Sequence, residues 1–329
     1  MIGLSVALVD PGSLAGRDVK AVLRERSFPS VRLHLFHTGD STSGLLTEDD
    51  GEAALASPLE PDGLEGCQIA FLCGPPDATA RFLSRRSKDG CLAIDVSGQR
   101  GAGTRVDALR GVLPSPLPES DLLVLRDPTA TVLADAIVAA ESTGALAGVT
   151  AAIDRPASDL GKDALDELFQ QAIAIASFRS IPKDRLGAQC AFNVYSPADT
   201  DAFDGRVAED VRELLGRDLP VTILSARSGV FHGTTIRLEL RFAGPAPSAG
   251  ALRAALLSAG YGFAEADVDG PAGTVDAAGR DETLLLGAWS AGSTGRLLLA
   301  SDALRRPGAI LAVRVAEAAV ADRGLLPDA

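Results

Sequence analysis

The chain has 329 residues, of which 46% are hydrophobic and 23% are charged. This length corresponds to roughly two domains and buries about three quarters of the surface that the unfolded chain exposes, which excludes disorder as the main state. The 31 basic and 44 acidic residues give a formal net charge of −13. A field of that sign repels phosphate backbones and anionic membrane surfaces, so we expect no nucleic-acid or membrane partner.

Reactive side chains are few, since the chain has four cysteines and three histidines. The cysteines show no CxxC spacing, and Cys73 and Cys91 lie in apolar runs typical of small buried residues, so neither a zinc site nor a disulfide framework is predicted. The sequence has no signal-peptide pattern at its start and no window of about 18 uninterrupted apolar residues. These features predict a cytoplasmic protein without a bound metal.

The first part of the chain alternates between patterns typical of buried strands and patterns typical of helices. Strands are predicted over 4–9, 31–36, 68–72, 92–96 and 122–125, with helices over 14–26 and 78–86. The acidic, Gly- and Ser-rich stretch 38–65 and the stretch 98–119 are predicted to be loops. Strands that alternate with helices indicate a parallel sheet with right-handed crossovers, which is a doubly wound α/β fold.

The middle of the chain has longer elements and predicts a mixed α+β region. Its helices are predicted over 159–178, 205–216 and 247–259, and its strands over 221–224, 235–240, 283–288 and 295–300. The last helix is predicted over 307–321, with Pro307 in its first turn and with Ile310, Val313, Ala316 and Val320 on one side.

The turn after the first strand is a candidate site for a dinucleotide pyrophosphate, because a helix N-terminus offers free N–H groups and the positive end of a dipole. The turn carries only Gly12 and Gly16, and it places the Asp10 carboxylate beside the phosphates. An ordinary strand-to-helix turn is the alternative interpretation.

A second helix N-terminus follows the fifth strand. Asp127 is suited to cap this helix and Pro128 to begin it. A nucleophile in this turn would have a lowered pKa, but Thr129 and Thr131 offer only hydroxyls, which need an adjacent base to react. Capping alone explains these residues.

Two further residues are open to a functional or a structural interpretation. His232 lies at the start of a predicted strand, and Arg227 is able to bind a carboxylate or phosphate through two hydrogen bonds. A packing role explains either residue equally well. His34 and His37, near the end of the second strand, are predicted to be half-exposed strand residues.

The order of segments resembles the aspartate-semialdehyde dehydrogenase family over nearly the whole chain. The strongest match is Gln189–Val194, which is similar to the family's Q-x-A-F-N-V segment. Further matches to S-G-A-G-K…D-E-L, to I-D-N-S-S and to the terminal K-G-A-A-x-N-A-V-Q helix are carried by Ser158, Gly161-Lys162, Asp166-Glu167-Leu168, Ile94-Asp95, Ser97, Gly308-Ala309 and Ala312-Val313.

The resemblance implies a Rossmann-like dinucleotide-binding domain over 1–130, joined by the C-terminal helix 306–322. It implies a second α+β domain over 131–305, which binds substrate and forms a homodimer through its sheet. In the family, an aspartyl phosphate is reduced to the semialdehyde with NADPH through a covalent thioester to cysteine. NADP is therefore the cofactor that the resemblance implies.

The catalytic centres of the family are altered in this chain. Ala130 stands where the family's N-P-N-C-S-T has its cysteine, and Thr234 stands where V-F-x-G-H-S has its histidine, with His232 displaced by two positions. Arg155 replaces the glutamine of Q-A-V-S-G-A-G. No catalytic residue is in register, and His232 is a weak substitute.

The remaining positions that the resemblance assigns are binding positions. On the cofactor side they are Gly12, Ser13, Gly16, Gly74 and Ser97. On the substrate side they are Arg100, Arg155, Ser158, Gln189 and Arg227.

The leading hypothesis is a non-catalytic family member that forms a homodimer and binds a small-molecule or protein partner. The alternative is a divergent NAD(P)-dependent oxidoreductase that acts on an aldehyde or acyl substrate, as the family does in amino-acid biosynthesis, with His232 as acid and base. A scaffold without any ligand is a third interpretation. Turnover of aspartate semialdehyde, or binding of NAD(P), distinguishes among them.

Overall fold

The structure is a computed structural model that describes residues 3–39, 45–49, 52–88, 90–99, 101–263 and 272–325. It divides into two compact units. The first unit comprises Met1–Arg126 and Pro307–Ala329, and the second comprises Asp127–Arg306. No helix among the described residues is long and apolar enough to cross a lipid bilayer.

The first unit is built on a sheet in which every pairing except β3 with β4 is parallel. Its strands are β1 (Leu4–Val9), β2 (Ser30–His37), β3 (Leu45–Asp49), β4 (Glu52–Pro58), β5 (Ile69–Leu72), β6 (Leu92–Asp95), β7 (Thr104–Val106) and β8 (Leu122–Leu125), in the spatial order β3-β4-β2-β1-β5-β6-β8-β7. Helix α1 (Leu14–Glu25) follows β1, and α2 (Pro76–Leu83) follows β5. The doubly wound fold predicted from the sequence is confirmed.

The central strands of this sheet are short runs of apolar residues without polar alternation. Strands β5, β6 and β8 are buried at every position. A parallel sheet that is covered on both faces requires this pattern, which is why these strands were visible in the sequence.

Two predictions for this unit are wrong. The stretch 38–65 is not a loop, because it contains the antiparallel pair of β3 and β4, and 98–119 contains β7. These strands lie at the two edges of the sheet, where backbone pairing holds a strand that lacks a continuous apolar run.

Among the described residues, the second unit contains a mixed sheet and four α-helices. Its strands are β9 (Leu146–Arg155), β10 (Val194–Tyr195), β11 (Val221–Ser228), β12 (Thr234–Phe242), β13 (Gly262–Phe263), β14 (Leu284–Ala291) and β15 (Thr294–Ser301), in the order β10-β11-β9-β12-β15-β14-β13. Its helices are α3 (Pro128–Glu141), α4 (Lys162–Ala176), α5 (Thr200–Leu215) and α6 (Ala249–Ser258). The mixed α+β character predicted for this region is confirmed.

One side of this sheet is packed and the other is more open. Along β12 the buried residues alternate with exposed ones, as expected of a strand with a single covered face. Helix α3 contacts α5 and α6, while α5 packs on β11 and α6 packs on β14.

The predicted helices of this unit need correction at their starts. The helix predicted from 159 begins at Lys162, because Gly161 has a φ of +86° and ends the 3₁₀ turn Ala157–Leu160 that precedes it. Helix α5 begins at Thr200, five residues before the predicted start.

The last helix, α7 (Leu311–Arg323), belongs to the first unit. Pro307 is not in its first turn, since it lies within a π-helical segment, Leu304–Ile310, that precedes α7. The residues of α7 that join the core of this unit are Leu311, Ala312, Val313, Val315, Ala316 and Ala319.

Candidate functional site

The first turn of α3 holds the residue that matches the family's nucleophile position. The Oδ1 atom of Asp127 accepts hydrogen bonds from the N–H groups of Thr129 at 2.8 Å and Ala130 at 3.4 Å, so the predicted cap is present. Ala130 is fully buried, and its methyl group offers no nucleophile. The Thr131 hydroxyl donates to the Asp127 carbonyl at 3.2 Å and is engaged in the same turn.

Two arginines lie side by side at the carboxyl ends of β9 and β11. Arg155 and Arg227 are register partners in the parallel pairing of these strands. Arg155 donates two hydrogen bonds to the Asp199 carboxylate, at 3.0 and 3.3 Å, and its guanidinium lies 3.8 Å from the centre of the Phe203 ring. Arg227 is only 1% exposed, and its Nη1 donates to the Pro156 carbonyl at 2.6 Å.

Asp159 lies between these two arginines. Its Oδ2 atom is 3.4 Å from Arg227 Nη1 and 3.5 Å from Arg155 Nε. Burial raises the pKa of Asp159, while the Arg227 and Arg155 charges act against that shift. Burial alone would also raise the pKa of Asp199, but the hydrogen bonds and charge of Arg155 hold it below its ordinary value.

Together, Arg155, Asp159, Asp199 and Arg227 form a group that we call the arginine cluster. Its two positive and two negative charges balance, so it requires no external anion for neutrality. Such a group has the chemistry of a filled carboxylate or phosphate site, in which the chain supplies the carboxylates itself.

The other substrate-side positions fall in different places. Ser158 is buried in the turn that carries Asp159, where its N–H donates to the Phe231 carbonyl at 3.0 Å. Gln189 donates to the carbonyl of Ala191 at 3.2 Å, and no hydrogen bond joins it to either arginine. Arg100 lies outside the described residues.

The base position offers no acid–base group. Thr234 is buried at the start of β12, opposite Ser301. His232 is half-buried in the preceding turn, and no hydrogen bond between described residues joins it to the arginine cluster. Among the described residues, the nucleophile position is therefore a buried alanine and the base position is a buried threonine.

In the first unit, the end of β1 carries a carboxylate that is already bound. Asp10 has a φ of +57°, and its carboxylate accepts the Thr38 O–H at 2.6 Å and the Thr38 N–H at 3.1 Å. A Cβ on Gly74 would overlap Asp10 Oδ2, so the carboxylate lies across the ends of β1, β2 and β5. Ligands of doubly wound proteins bind at these carboxyl ends of the strands.

The remaining cofactor-side groups are also engaged within the chain. The Ser13 hydroxyl donates to the Cys73 carbonyl at 2.8 Å and accepts the Gly16 N–H at 2.9 Å. A Cβ on Gly16 would overlap the Asp10 carbonyl, so this glycine is needed by the turn itself, whereas Gly12 has open space around it.

A second carboxylate, Asp95, lies at the carboxyl end of β6, on the same side of the sheet. The Ser97 N–H donates to Asp95 Oδ1 at 2.8 Å, and burial raises the pKa of Asp95. Burial, with the charges of Asp10 and Asp95, raises the pKa of the Cys73 thiol well above its usual range, so this thiol is not a nucleophile.

These residues do not fit the phosphates of NADP. A phosphate needs donors and positive potential, and here the Thr38 and Ser13 donors are occupied while Asp10 adds negative charge. Across the part of the chain that the structure describes, no group of three or more His, Cys, Asp and Glu residues is arranged to hold a metal ion.

Burial corrects one prediction and supports another. His37 is buried rather than half-exposed, because it pairs with Pro58 where β2 meets β4. All four cysteines are buried and form no disulfide, and burial was expected for Cys73 and Cys91.

Sequence reasoning missed Asp159 and Asp199. Asp159 stands between Ser158 and Gly161, where the family's S-G-A-G has a glycine, so the departure was visible in the motif. No local sequence pattern marks Asp199 as part of the site, because it lies 44 residues from Arg155, to which it is hydrogen-bonded.

No protein-family model matches the chain. In sequence it is 25% identical to a USG-1 protein homolog of Pseudomonas aeruginosa, over 95% of this chain and 97% of that protein. It is 22% identical to an aspartate-semialdehyde dehydrogenase of a Shewanella species, over 97% of this chain and 98% of that protein.

In structure the chain is similar to a probable aspartate-semialdehyde dehydrogenase from Pseudomonas aeruginosa, with a TM-score of 0.80 and 22% identity over 97% of this chain and 98% of that one. It is equally similar to aspartate semialdehyde dehydrogenase II of Vibrio cholerae complexed with ASA, with a TM-score of 0.80 and 18% identity over 98% and 99% of the two chains. At these identities, the likeness establishes a shared fold over the full length.

Proposed function

We propose that this chain is a member of the aspartate-semialdehyde dehydrogenase family that keeps the family's fold without its thioester chemistry and acts as a dimeric protein that binds a ligand or partner. The observation that carries the proposal is Ala130, whose buried methyl group occupies the nucleophile position in the capped first turn of α3. A thioester cannot form on alanine.

The residue at the family's base position supports the same conclusion. Thr234 at the base position has no group able to take and return a proton near neutral pH. A nucleophile and a base that act as a unit lose several orders of magnitude in rate when either is absent. The arginine cluster supports the proposal as well. Arg155 and Arg227 match the family's substrate side, and here both contact carboxylates of the same chain.

The proposed dimer uses the open side of the second unit's sheet. Leu224, Ala152, Arg237 and Leu298 are register partners across β11, β9, β12 and β15, and they share this face. Trp289 lies on the same face, where its ring crosses Gly287 on β14. We call these residues the open sheet face.

The chemistry of the open sheet face suits a second copy of the chain. Leu224 and Trp289 are exposed apolar residues, and Trp289 lines a cavity of about 440 Å³. The charges on this face are paired internally, Arg237 with Asp154 at 2.6 Å and Arg296 with Glu239 at 3.2 Å. Covering the face therefore buries apolar area without stranding a charge.

The catalytic half of the proposal is tested with the purified chain, NADP, aspartate semialdehyde and inorganic phosphate. The expected result is no NADPH formation above the rate without protein. Turnover at an ordinary enzyme rate, on the order of 1 s⁻¹ or more, contradicts the proposal and favours a divergent oxidoreductase.

The dimer is tested by light scattering, since the monomer has a mass of 33.8 kDa. We expect a mass of twice that value, and we expect Trp289→Glu to return the monomer. Val112→Glu is the matched control, because Val112 is an exposed apolar residue of the first unit. Trp289 is the chain's one tryptophan, so the fluorescence of the wild type should shift to longer wavelength when its dimer is dissociated by dilution.

A further inference from the structure

The arginine cluster contains a buried donor without an acceptor. Arg227 is 1% exposed, and its Nε atom has no hydrogen-bond partner among the described residues. Buried guanidinium N–H groups without partners are costly, because the water they have lost is not replaced. The place beside Arg227 is therefore polar and incompletely filled.

Asp159 contacts both guanidinium groups, but at long distances. Charge-assisted N–H···O bonds are usually about 2.7–2.9 Å long. The Asp159 Oδ2 atom is instead 3.4 Å from Arg227 Nη1 and 3.5 Å from Arg155 Nε. One oxygen is thus shared by two guanidinium groups, and both distances exceed the usual length of a charge-assisted hydrogen bond.

The turn that carries Asp159 is held by backbone hydrogen bonds to the segment between β11 and β12. The N–H groups of Ala157 and Ser158 donate to the carbonyls of Val230 and Phe231 at 2.9 and 3.0 Å. Asp159 itself is 26% exposed, so its carboxylate lies at the mouth of the cluster with the arginines behind it.

Two departures from the family's pattern meet at this point. Arg155 replaces a glutamine and adds a positive charge, and Asp159 replaces a glycine and adds a negative one. Since the two side chains are in contact, the added charges compensate each other locally. Neither change alone would leave the cluster neutral.

We propose that Asp159 is an internal ligand of Arg155 and Arg227, which occupies the position of a small anion and closes this site in the native chain. The ligand class that it excludes is a small carboxylate or inorganic phosphate. Removal of the Asp159 carboxylate opens a site lined by two guanidinium groups, of which only Arg155 keeps another carboxylate partner, Asp199.

The test measures anion binding by calorimetry and by thermal unfolding, with inorganic phosphate and malonate as probes and with chloride at equal ionic strength as the reference. The variants are Asp159→Gly, which removes the side chain, and Asp159→Asn, which keeps its shape without the charge. Asp218→Asn is the matched control, since Asp218 is exposed beyond the far end of α5.

We expect phosphate or malonate to bind at least about tenfold more tightly to the two Asp159 variants than to the wild type. Their unfolding temperatures should be lower than that of the wild type without anion and should recover when a probe is added. The wild type and Asp218→Asn should respond to the probes no more than to chloride.

Equal responses of the wild type and the Asp159 variants overturn the proposal, whether all of them bind or none does. If both single variants fail to fold, the paired change Arg155→Gln with Asp159→Gly keeps the local charge balance and leaves Arg227 as the receptor. Absence of probe binding to that folded pair also overturns the proposal.

This inference deepens the proposed function, since a closed anion site suits a chain without turnover. The two fail separately, however. The proposed function fails on NADPH formation or on mass, whereas the closure by Asp159 fails on anion binding.

Discussion

The two units of this molecule each place an aspartate where the family's pattern has glycine, and each aspartate is bound by its own chain. In the first unit, Asp10 is held by the N–H and O–H of Thr38, which are neutral donors. In the second, Asp159 lies against two guanidinium groups. The same kind of substitution has therefore produced two different electrostatic environments.

This difference decides what each site is able to accept. The charge of Asp10 is not compensated by the donors that hold it, so it repels an incoming phosphate. The charge of Asp159 is compensated, so it takes the place of an anion instead of repelling one. Neutralising Asp10 should remove one negative charge from a crevice that still holds Asp95, whereas neutralising Asp159 should leave a cationic site.

The strongest test of this contrast is the loss of a buried charge from the second unit. Arg227→Ala should lower the free energy of unfolding by about 3–5 kcal/mol, because it leaves Asp159 without one of its partners and removes a fully buried side chain. Urea unfolding monitored by circular dichroism measures the change.

Arg185→Ala is the control for that variant. Arg185 is exposed and pairs with Asp163 at 3.1 Å away from the open sheet face, so its loss should cost no more than about 1 kcal/mol. Equal losses for the two arginine variants would mean that burial of the arginine cluster contributes nothing to stability.

The contrast is sharpened in the first unit by Asp10→Gly, which installs the family's residue. We expect NADP to bind at least about tenfold more tightly to this variant than to the wild type, because a phosphate no longer meets the Asp10 charge. Asp10→Asn, which keeps the shape, should give an intermediate affinity. Calorimetry with NADP measures all three affinities.

Asp121→Asn is the matched control. Asp121 is exposed and directly precedes β8, so it lies at the amino ends of the strands, whereas Asp10 lies at their carboxyl ends. It should bind NADP as the wild type does. An affinity for NADP that is the same in the wild type and in Asp10→Gly would remove Asp10 as the cause of the misfit.

A smaller effect tests whether the Asp10 carboxylate lies where the structure has it. Gly74→Ala adds a Cβ that overlaps Asp10 Oδ2 and should cost about 1–3 kcal/mol of stability. In the Asp10→Gly background the same change should cost less, since the overlapping atom is gone. Additive costs from urea unfolding of the four proteins would contradict this placement.

The sequence was most informative where one local property determined the structure. The runs 4–9 and 92–96 are apolar without alternation, as strands buried on both faces must be, and both are strands. The 3₁₀ turn before α4 was missed because Gly161, at a φ of +86°, ends it inside an otherwise continuous helical pattern.

The candidate site was predictable only in what it lacks. Ala130 and Thr234 each stand at one position of a motif, so aligning the motif with this sequence shows directly that the family's cysteine and histidine are absent there. The pairing of Arg155 with Asp199 depends on how β9 and α5 come together, and no local pattern encodes it. Asp159 lay within a compared motif, but its meaning required the two arginines to be seen around it.

The smallest expected effect concerns Asp95, which is buried at the end of β6 and has a pKa raised by that burial. Its folded form binds a proton more readily than its unfolded form, whose pKa is about 3.9. Stability should therefore increase as pH falls through the raised folded pKa toward the unfolded value, and the gain should be absent above that window.

Asp95→Asn isolates this contribution, because it keeps an oxygen that accepts from Ser97 while removing the titrating group. The difference in unfolding free energy between wild type and variant should be on the order of 1 kcal/mol. It should shift in favour of the wild type as the pH is lowered from 7, with other groups cancelling in the comparison. A difference that is flat with pH, or that shifts toward the variant, would show that Asp95 is not destabilised by its charge.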